Sequence, residues 1–172
     1  MPLIERRYAS PLGELLAIAS PAGLCLLEFV GQGGVAREQA QVQAARGGAP
    51  ARPGANALTE QLGRELAEYF AGQRQRFDVP LDLIGTPFQL RVWQALLAIP
   101  YGHTCSYGQQ AQHIGQPTAT RAVAAANGQN KVSVIVPCHR VIGSNGTLTG
   151  YGGGLPRKQW LLSLESGERP LI

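Results

Sequence analysis

The sequence predicts an α+β protein in two parts: a small α/β N-terminal domain with antiparallel strands, residues 1–84, and a mostly helical C-terminal domain containing a helix-turn-helix, residues 85–172. Short apolar stretches separated by proline and glycine turns open the chain, as is typical of strands. Beyond residue 85 the apolar residues follow helical spacing instead. The charge divides at the same place: eight arginines oppose nine acids up to residue 85, whereas seven cations oppose two acids after it.

Length and composition favour a folded protein that is neither membrane-bound nor secreted. The chain has 172 residues, of which 44% are hydrophobic, and this suffices for a conventional core. No apolar run reaches the roughly 18 residues that span a bilayer, and the first residues lack the order of a signal peptide. We therefore expect a cytoplasmic protein with no membrane association. The positive second half favours an anionic partner such as a nucleic-acid backbone, although a merely basic soluble surface fits the same charge count.

The three cysteines, Cys25, Cys105 and Cys138, are widely spaced, and none belongs to a C-x-x-C pair. This spacing predicts neither a disulfide framework nor a zinc site, so we expect no metal and no cofactor. Cys25 lies among leucines, which is typical of a buried core thiol.

The N-terminal elements follow in order. Apolar stretches at residues 15–19 and 24–30 predict strands. Residues 31–54, rich in glycine and proline, predict a looser segment that ends in an exposed loop. Apolar residues at helical spacing predict a helix over residues 57–71, and residues 77–83 predict a further strand. No motif of recognisable chemistry lies in this half.

The first C-terminal helix has clear start signals, because Thr86 can cap it and Pro87 suits its first turn. Residues 106–114 and 118–127 predict two short helices around a glycine-containing turn, a helix-turn-helix candidate. Five alanines give the second of these helices a slim surface from which Arg121 projects. A slim helix can equally pack inside the protein, so both interpretations stay open here.

The last third of the chain alternates apolar and glycine-rich segments. Residues 132–136 form a β-branched run that predicts a buried strand. Six glycines between Gly143 and Gly154 predict a shaped loop. Residues 156–166 predict a closing helix that ends at Gly167.

Cys138 is the candidate nucleophile, because it follows a buried-looking strand and precedes His139 and Arg140. The thiolate is the reactive form of cysteine, and an imidazole or positive charge nearby lowers the pKa of a thiol. Adjacent side chains on an extended segment point to opposite sides, so His139 needs a bend in the chain or a bridging water to act on Cys138. Glu165, beside the apolar stripe of the last helix, can orient the imidazole as the third member of a triad does.

A structural interpretation of the same residues stays open at this stage. A lone Cys-His dipeptide more often marks a buried structural cysteine, and Glu165 then lies at the surface. Arg140 fits either a phosphate contact or a structural ion pair.

Ordered sequence blocks surround this candidate. They are Gly85-Thr86-Pro87-Phe88-Gln89, Val92-Trp93, Ile99-Pro100-Tyr101-Gly102, Ser106-Tyr107, Arg121-Ala122-Val123, Pro137-Cys138-His139-Arg140-Val141-Ile142, Gly150-Tyr151 and Lys158-Gln159-Trp160-Leu161-Leu162. Together they resemble the methylated-DNA–protein-cysteine methyltransferases, also called O6-alkylguanine-DNA alkyltransferases. The resemblance covers residues 85–168, and the N-terminal half matches that family only in size and in its Tyr69-Phe70-Ala71-Gly72 ending.

The resemblance implies a DNA repair protein that transfers an alkyl group, such as methyl, from guanine O6, and from thymine O4, irreversibly to its own Cys138. A thioether has no easy hydrolytic exit, so each molecule reacts once. The resemblance further implies that His139 acts through water as the base for Cys138, with Glu165 orienting it. Asn130 matches the family's active-site asparagine, and Tyr107 matches the residue that donates to the guanine ring as charge develops.

The resemblance also implies a partner, double-stranded DNA carrying O6-alkylguanine, bound by a monomer that clusters along the duplex. The target base must leave the helix before attack. Residues 118–127 are implied as the recognition helix in the minor groove, with Arg121 filling the gap left by the base. The implied DNA-binding residues are Thr118, Ala119, Thr120, Arg121, Ala122 and Asn127. The implied pocket residues are Pro137, Val141, Tyr151, Gly152 and Gly153, and the glycines leave room for alkyl groups longer than methyl.

Two positions depart from the family pattern: Lys131 stands where proline commonly follows Asn130, and Ala124 stands where glycine is common. Two other functions stay open. One is a non-enzymatic helix-turn-helix protein that senses lesions or regulates, which the intact Cys138-His139 pair disfavours. The other is a cysteine hydrolase, for which no oxyanion hole is specified.

Overall fold

The computed structural model describes residues 2–167, which form two compact units that meet in sequence between Ile84 and Gly85. The first unit holds a small, mainly antiparallel sheet with two helices, and the second is mostly helical. The predicted α+β fold class is therefore confirmed. Within the described part of the chain, none of the helices has the length and apolar character needed to cross a bilayer.

A four-stranded sheet forms the centre of the first unit. Its strands are β1 (Ile4–Tyr8), β2 (Leu15–Ser20), β3 (Gly23–Phe29) and β4 (Arg52–Pro53), in the order β3-β2-β1-β4. Neighbouring strands run antiparallel except β1 and β4, which run parallel. Every residue of β2 and β3 is buried, so these strands show no alternation of buried and exposed residues, and they are mostly apolar, with Ser20 and Glu28 as exceptions.

Two helices complete the first unit, α1 (Val35–Ala45) and α2 (Ala57–Phe70). The predicted helix at 57–71 is confirmed, and it begins with a reciprocal cap between Asn56 and Thr59. Helix α1 lies in the segment predicted to be loose, so that prediction is wrong. Helix α1 has weak sequence signals, because its start at Gly34 lacks a side-chain cap and Val42 is its one buried apolar residue.

The predicted strand at residues 77–83 is also wrong. This segment makes a single parallel bridge between Leu24 and Leu81, through hydrogen bonds from Leu24 to Pro80 and from Asp82 to Leu24, both 2.9 Å. Pro80 lacks the N–H that a continuing ladder needs, so no strand extends from the bridge.

The second unit is built from α3 (Pro87–Leu97), β5 (Cys105–Ser106), α4 (Tyr107–His113), α5 (Thr120–Gly128), β6 (Val141–Ile142) and α6 (Leu155–Glu165). The predicted helices are confirmed with shifts of one or two residues at their ends. A 3₁₀ turn at Cys138–Arg140 precedes β6, which pairs in parallel with β5.

Helix α3 is the anchor of this unit. Thr86 and Gln89 cap its start reciprocally, and Pro87 occupies its first turn. Trp93 on α3 is buried, and its indole N–H donates to the Ala126 carbonyl on α5 at 2.9 Å. Gly85 permits the close packing, because a Cβ at that position would lie 2.5 Å from the Trp93 ring.

Helices α4 and α5 pack against each other and are joined by a short turn. Ser106 caps the start of α4, and the Arg91 guanidinium donates to the Ile114 carbonyl at its end at 2.9 Å. Helix α5 begins at Thr120, so Thr118 and Ala119 precede the helix in which they were predicted to lie.

The β-branched run at residues 132–136 is a buried turn, not the predicted strand. Val134 has a φ of 73°, a left-handed conformation that is costly for a β-branched residue. The Asn130 side chain supplies the hydrogen bonds that a neighbouring strand would otherwise provide. Its Oδ1 accepts from the Val132 N–H and its Nδ2 donates to the Val136 carbonyl, both at 2.9 Å.

Candidate active site

Cys138 begins the 3₁₀ turn that follows this strained segment, and it is half-buried. The Asn130 amide that fixes the turn also donates to Cys138 Sγ at 3.4 Å. Since Asn130 is itself held by two backbone groups, its N–H is aimed at the sulfur without rearrangement. A donor in this position stabilises a thiolate.

His139 is fully buried, and its Nε2 lies 2.8 Å from Glu165 Oε2 on α6. Because the carboxylate is the acceptor in this bond, Nε2 carries the proton of the neutral imidazole. Nδ1 is then the unprotonated nitrogen, and it has no hydrogen-bond partner among the described residues. Burial lowers the pKa of His139, and the attraction of Glu165 only partly offsets this, so the imidazole is available as a base near neutral pH.

Arg140 forms a structural ion pair with Glu165, which decides between the two interpretations left open by the sequence. Its Nε donates to Glu165 Oε1 at 2.7 Å, and its Nη2 donates to Oε2 at 3.0 Å. A third bond joins Nη1 to the Ile99 carbonyl at 2.7 Å. Burial opposes ionisation of Glu165, but hydrogen bonds from His139 and Arg140 hold the pKa of this carboxyl well below its usual range.

A cavity of about 350 Å³ opens beside Cys138. It is lined by Tyr107, Ala124, Asn127, Gly128, Cys138, Thr149, Gly150, Tyr151 and Gly152. The Tyr107 hydroxyl, at the start of α4, donates to the Thr149 carbonyl at 3.1 Å. Tyr151 and Gly152, two of the predicted pocket residues, belong to this wall.

Three other predicted pocket residues do not line the cavity: Pro137, Val141 and Gly153. All three are buried. Pro137 leads into the 3₁₀ turn, and Val141 belongs to β6. Their place in the substrate pocket stays a prediction, because none of the three borders this cavity.

Lys158 is a further functional candidate that sequence reasoning missed. Its side chain is fully buried, and Nζ donates to the carbonyls of Val141 at 2.6 Å and Thr149 at 2.7 Å. Burial lowers the pKa of Lys158, and negative charge on Cys138 opposes this effect. The available signal was its spacing, because Lys158, Leu161 and Glu165 share the buried face of α6.

The residues predicted to bind DNA divide into two groups. Thr118, Arg121 and Ala122 are exposed, and Ala119 and Thr120 are half-buried, so the start of α5 presents an accessible surface. Asn127 is different: it is buried, and its amide is paired with that of Gln110. The prediction that Asn127 contacts DNA is therefore not supported by its position.

The arrangement supplies a half-exposed thiol, a buried neutral imidazole oriented by a carboxylate, and a phenol facing the same cavity. It fits nucleophilic attack by sulfur on a small bound group. Within residues 2–167, no three histidine, cysteine, aspartate or glutamate side chains come together as metal ligands.

Comparison with known families matches both halves of the chain. Residues 87–167 match the family described as 6-O-methylguanine DNA methyltransferase, DNA binding domain. Residues 3–83 match the family described as 6-O-methylguanine DNA methyltransferase, ribonuclease-like domain. The half in which the sequence revealed no chemical motif is thus similar to the companion domain of the same proteins.

Two curated relatives from mycobacteria illustrate the similarity. The methylated-DNA–protein-cysteine methyltransferase of Mycobacterium tuberculosis (strain ATCC 25618 / H37Rv) is 61% identical over 106 residues, which cover 62% of this chain and 64% of that protein. The protein of the same name from Mycobacterium leprae (strain TN) is 47% identical over 160 residues, covering 93% of this chain and 90% of that protein. The first match thus spans slightly less than two thirds of its relative, whereas the second spans most of it.

Solved structures give the same picture. The crystal structure of Mycobacterium tuberculosis OGT in complex with DNA superposes with a TM-score of 0.84 at 45% identity, covering 97% of this chain and 95% of that chain. The O6-methylguanine-DNA methyltransferase from Pyrococcus kodakaraensis strain KOD1 shares the fold, with a TM-score of 0.69 at 21% identity.

Proposed function

The chain belongs to the methylated-DNA–protein-cysteine methyltransferase family, and from this premise we propose that it repairs DNA by transferring an alkyl group from guanine O6 to its own Cys138. One observation carries the proposal: Cys138 opens onto a cavity, and the next residue, His139, is buried against Glu165. We also propose that residues 85–172 form the DNA-binding and alkyltransferase domain.

The first step is loss of the thiol proton. His139 Nδ1 carries the free lone pair, and it accepts the proton of Cys138 through a bridging water. Glu165 holds the imidazole by the Nε2 bond and stabilises the imidazolium that forms. The Asn130 N–H, 3.4 Å from Sγ, stabilises the resulting thiolate.

The second step is displacement at the alkyl carbon. A bond forms between Cys138 Sγ and this carbon, and the bond from the carbon to guanine O6 breaks. The electron pair of the broken bond passes to the guanine, which finally takes up a proton. The Tyr107 hydroxyl stabilises the negative charge that develops on the base. Thymine O4 reacts in the same way, and the glycines of the cavity wall leave room for alkyl groups longer than methyl.

The product explains why each molecule reacts once. S-alkylcysteine is a thioether, and a thioether is not readily hydrolysed. Because the thiol is not regenerated, the protein is consumed in proportion to the lesions it repairs.

Recognition requires extrusion of the damaged base, since the O6 group lies inside the duplex. We propose that α5 enters the minor groove as the recognition helix of a helix-turn-helix formed by α4 and α5. Arg121, exposed near the start of α5, fills the space left by the base. The protein acts as a monomer that clusters along duplex DNA.

The test is the mass of the intact protein after mixing with an equimolar duplex that carries one O6-methylguanine. The expected result is a gain of one methyl group, located on Cys138 by peptide mapping, with no further gain when duplex is added in excess. An unmodified protein that still binds the duplex would overturn the proposal in favour of a lesion sensor. Turnover with no mark on Cys138 would favour a hydrolase.

A further inference from the structure

A reciprocal amide pair links the two helices beside the cavity. Gln110 Nε2 donates to Asn127 Oδ1 at 2.9 Å, and Asn127 Nδ2 donates to Gln110 Oε1 at 2.8 Å. Gln110 is 1% exposed and Asn127 is 7% exposed, so the two bonds are shielded from water. The pair joins residues 17 positions apart, in the middle of α4 and near the end of α5.

Both partners are tied to the cavity. Asn127 is part of its wall, together with Cys138. Gln110 lies three residues after Tyr107 on α4, and residues at this spacing share one face of a helix. The pair therefore connects the helix that carries the Tyr107 phenol to the wall on which Cys138 opens.

The two helices differ in how firmly they are held elsewhere. Helix α5 is fixed to α3 by the bond from Trp93 to the Ala126 carbonyl, one residue before Asn127. Helix α4 has seven residues; the Tyr107 hydroxyl at its start bonds to the Thr149 carbonyl, and Arg91 bonds to the Ile114 carbonyl just past its end. Neither of these two bonds reaches α5. The hydrogen-bonded Gln110–Asn127 pair therefore sets the register of α4 against α5.

An amide pair restricts the relative placement of two helices more than an apolar contact does. Both hydrogen bonds are satisfied together in one register only, and a slip of either helix leaves a buried amide unpaired. Apolar side chains of similar volume tolerate such slips, because the hydrophobic effect is not directional.

We propose that Gln110 and Asn127 are positioning residues for alkyl transfer, whose amide pair sets the placement of Tyr107 across the cavity from Cys138. The inference rests on the proposed function, since it assigns these residues a part in that reaction. Neither side chain touches the reacting atoms, and both act through the helices they hold.

The experiment compares variants that separate the effect of side-chain volume from the effect of the two hydrogen bonds. The single substitutions Gln110→Met and Asn127→Leu each leave one buried amide unpaired, and the double variant Q110M/N127L replaces the pair by apolar side chains of similar size. The exchange variant Q110N/N127Q restores an amide pair with the same total length. Gln112→Leu, at an exposed position of the same helix, is the matched control.

Each variant is measured in two ways. Thermal unfolding reports stability. Single-turnover transfer from a duplex carrying one O6-methylguanine, over a range of duplex concentrations, gives the maximal rate and the half-saturating concentration. Free O6-benzylguanine base, which presents the alkylated guanine without a duplex, is the second probe.

We expect Q110M/N127L to regain wild-type stability while its maximal rate stays about tenfold to hundredfold below wild type with both substrates, the loss typical of a small misplacement of reacting groups. The half-saturating duplex concentration should not change, because α5 keeps its link to α3. Q110N/N127Q should recover more of the rate than either single variant does.

A stable Q110M/N127L that reacts at the wild-type rate would overturn the proposal, since the pair would then serve stability alone. If that variant does not fold, the exchange variant decides: a rate no better than the single variants overturns the proposal, and a recovered rate supports it. Failure of the wild-type chain to transfer any alkyl group would instead refute the proposed function, so the two failures are distinguishable.

Discussion

Cys25 of the first unit and Cys138 of the second unit have opposite surroundings. Cys25, in the first unit, is fully buried in an apolar cluster with Leu26, and burial raises the pKa of its thiol to about 11. Its nearest charged neighbour is the Asp82 carboxylate, at 3.5 Å, which also disfavours the thiolate. Cys138, in the second unit, is half-exposed on a cavity and accepts a hydrogen bond from Asn130.

The buried polar groups of the two units show the same contrast. In the first unit Thr59 caps α2, and Glu65 accepts hydrogen bonds from the Asp78 and Val79 amides, so both serve the structure. In the second unit Asn130 donates to Cys138 Sγ, and His139, the next residue after Cys138, is paired with Glu165. Burial of a polar group therefore indicates function only where several such groups share one centre.

The largest difference in alkyl transfer should come from replacing each of these two cysteines by serine. Cys138→Ser abolishes alkyl transfer, because a neutral hydroxyl cannot replace a thiolate in displacement at carbon. Cys25→Ser leaves transfer at the wild-type rate, since that thiol has no route to the substrate. Mass analysis after reaction with O6-methylguanine duplex measures both. Methylation of the Cys138→Ser chain would refute the assignment of the nucleophile.

A buried glutamate in each unit gives the next comparison. Glu165→Gln should slow transfer about hundredfold, within the range for loss of acid–base assistance, because the neutral amide no longer stabilises the imidazolium of His139. Glu65→Gln is the control, and it should lower the thermal midpoint without changing the transfer rate of the folded protein. Equal losses of rate in the two variants would contradict the distinction between the units.

Exposed arginines on helices of the two units provide a third test. Arg121→Ala should reduce transfer from duplex DNA about tenfold or more, because nothing then fills the space of the extruded base. Arg64→Ala, on α2 of the first unit, should have no effect. Reaction with the free base should be normal in both variants. Loss of the free-base reaction in Arg121→Ala would place Arg121 in the chemistry instead.

Acid should destabilise the second unit before the first. Burial lowers the pKa of His139 below its ordinary 6.5, so the unfolded chain takes up a proton that the folded chain excludes. Stability is therefore present above about pH 6.5 and falls below it, by up to about 1.4 kcal/mol per pH unit. The lowered pKa of Glu165 adds a further loss below its ordinary 4.5. Hydrogen exchange of each unit between pH 8 and pH 5 measures the effect, and equal loss in both units would contradict it.

The smallest expected effect concerns Lys131, which stands where the family commonly has proline. Its side chain is buried, and Nζ lies 5.3 Å from the centre of the Trp93 ring. Lys131→Met should lower the free energy of unfolding by about 1 kcal/mol, the scale of a cation–π contact, with little change in transfer. Denaturant unfolding measures the loss, and an unchanged midpoint would mean that the contact contributes nothing.

Much of the fold was predictable because its signals are local. Thr86 and Pro87 mark the start of α3 within four residues of sequence, and alternation of apolar and turn residues marks β2 and β3. Helix α1 was missed because its start lacks a side-chain cap. The turn at 132–136 was missed because its β-branched residues favour a strand, whereas the Asn130 side chain bonds the backbone at Val132 and Val136 and overrides this preference.

The candidate site divides in the same manner. Cys138 and His139 are adjacent in sequence, and Glu165 lies on a recognisable helical stripe, so a motif identifies them. The Gln110–Asn127 pair depends on how α4 packs against α5, which no local pattern specifies. The resemblance implied that Asn127 binds DNA, and only the packing of α5 shows that its amide is buried against Gln110.

The bond from the Tyr107 hydroxyl to the Thr149 carbonyl has a consequence for how the protein searches DNA. A base entering the cavity must compete for a proton that already has an acceptor, and exchange between neutral acceptors yields little net free energy. Once the alkyl carbon begins to leave, the base becomes anionic and the same bond roughly doubles in strength. Under the proposed reaction, the phenol therefore stabilises the transition state more than it stabilises the initial complex with the base. Undamaged bases are released quickly, and a protein that can react only once is kept for the lesion.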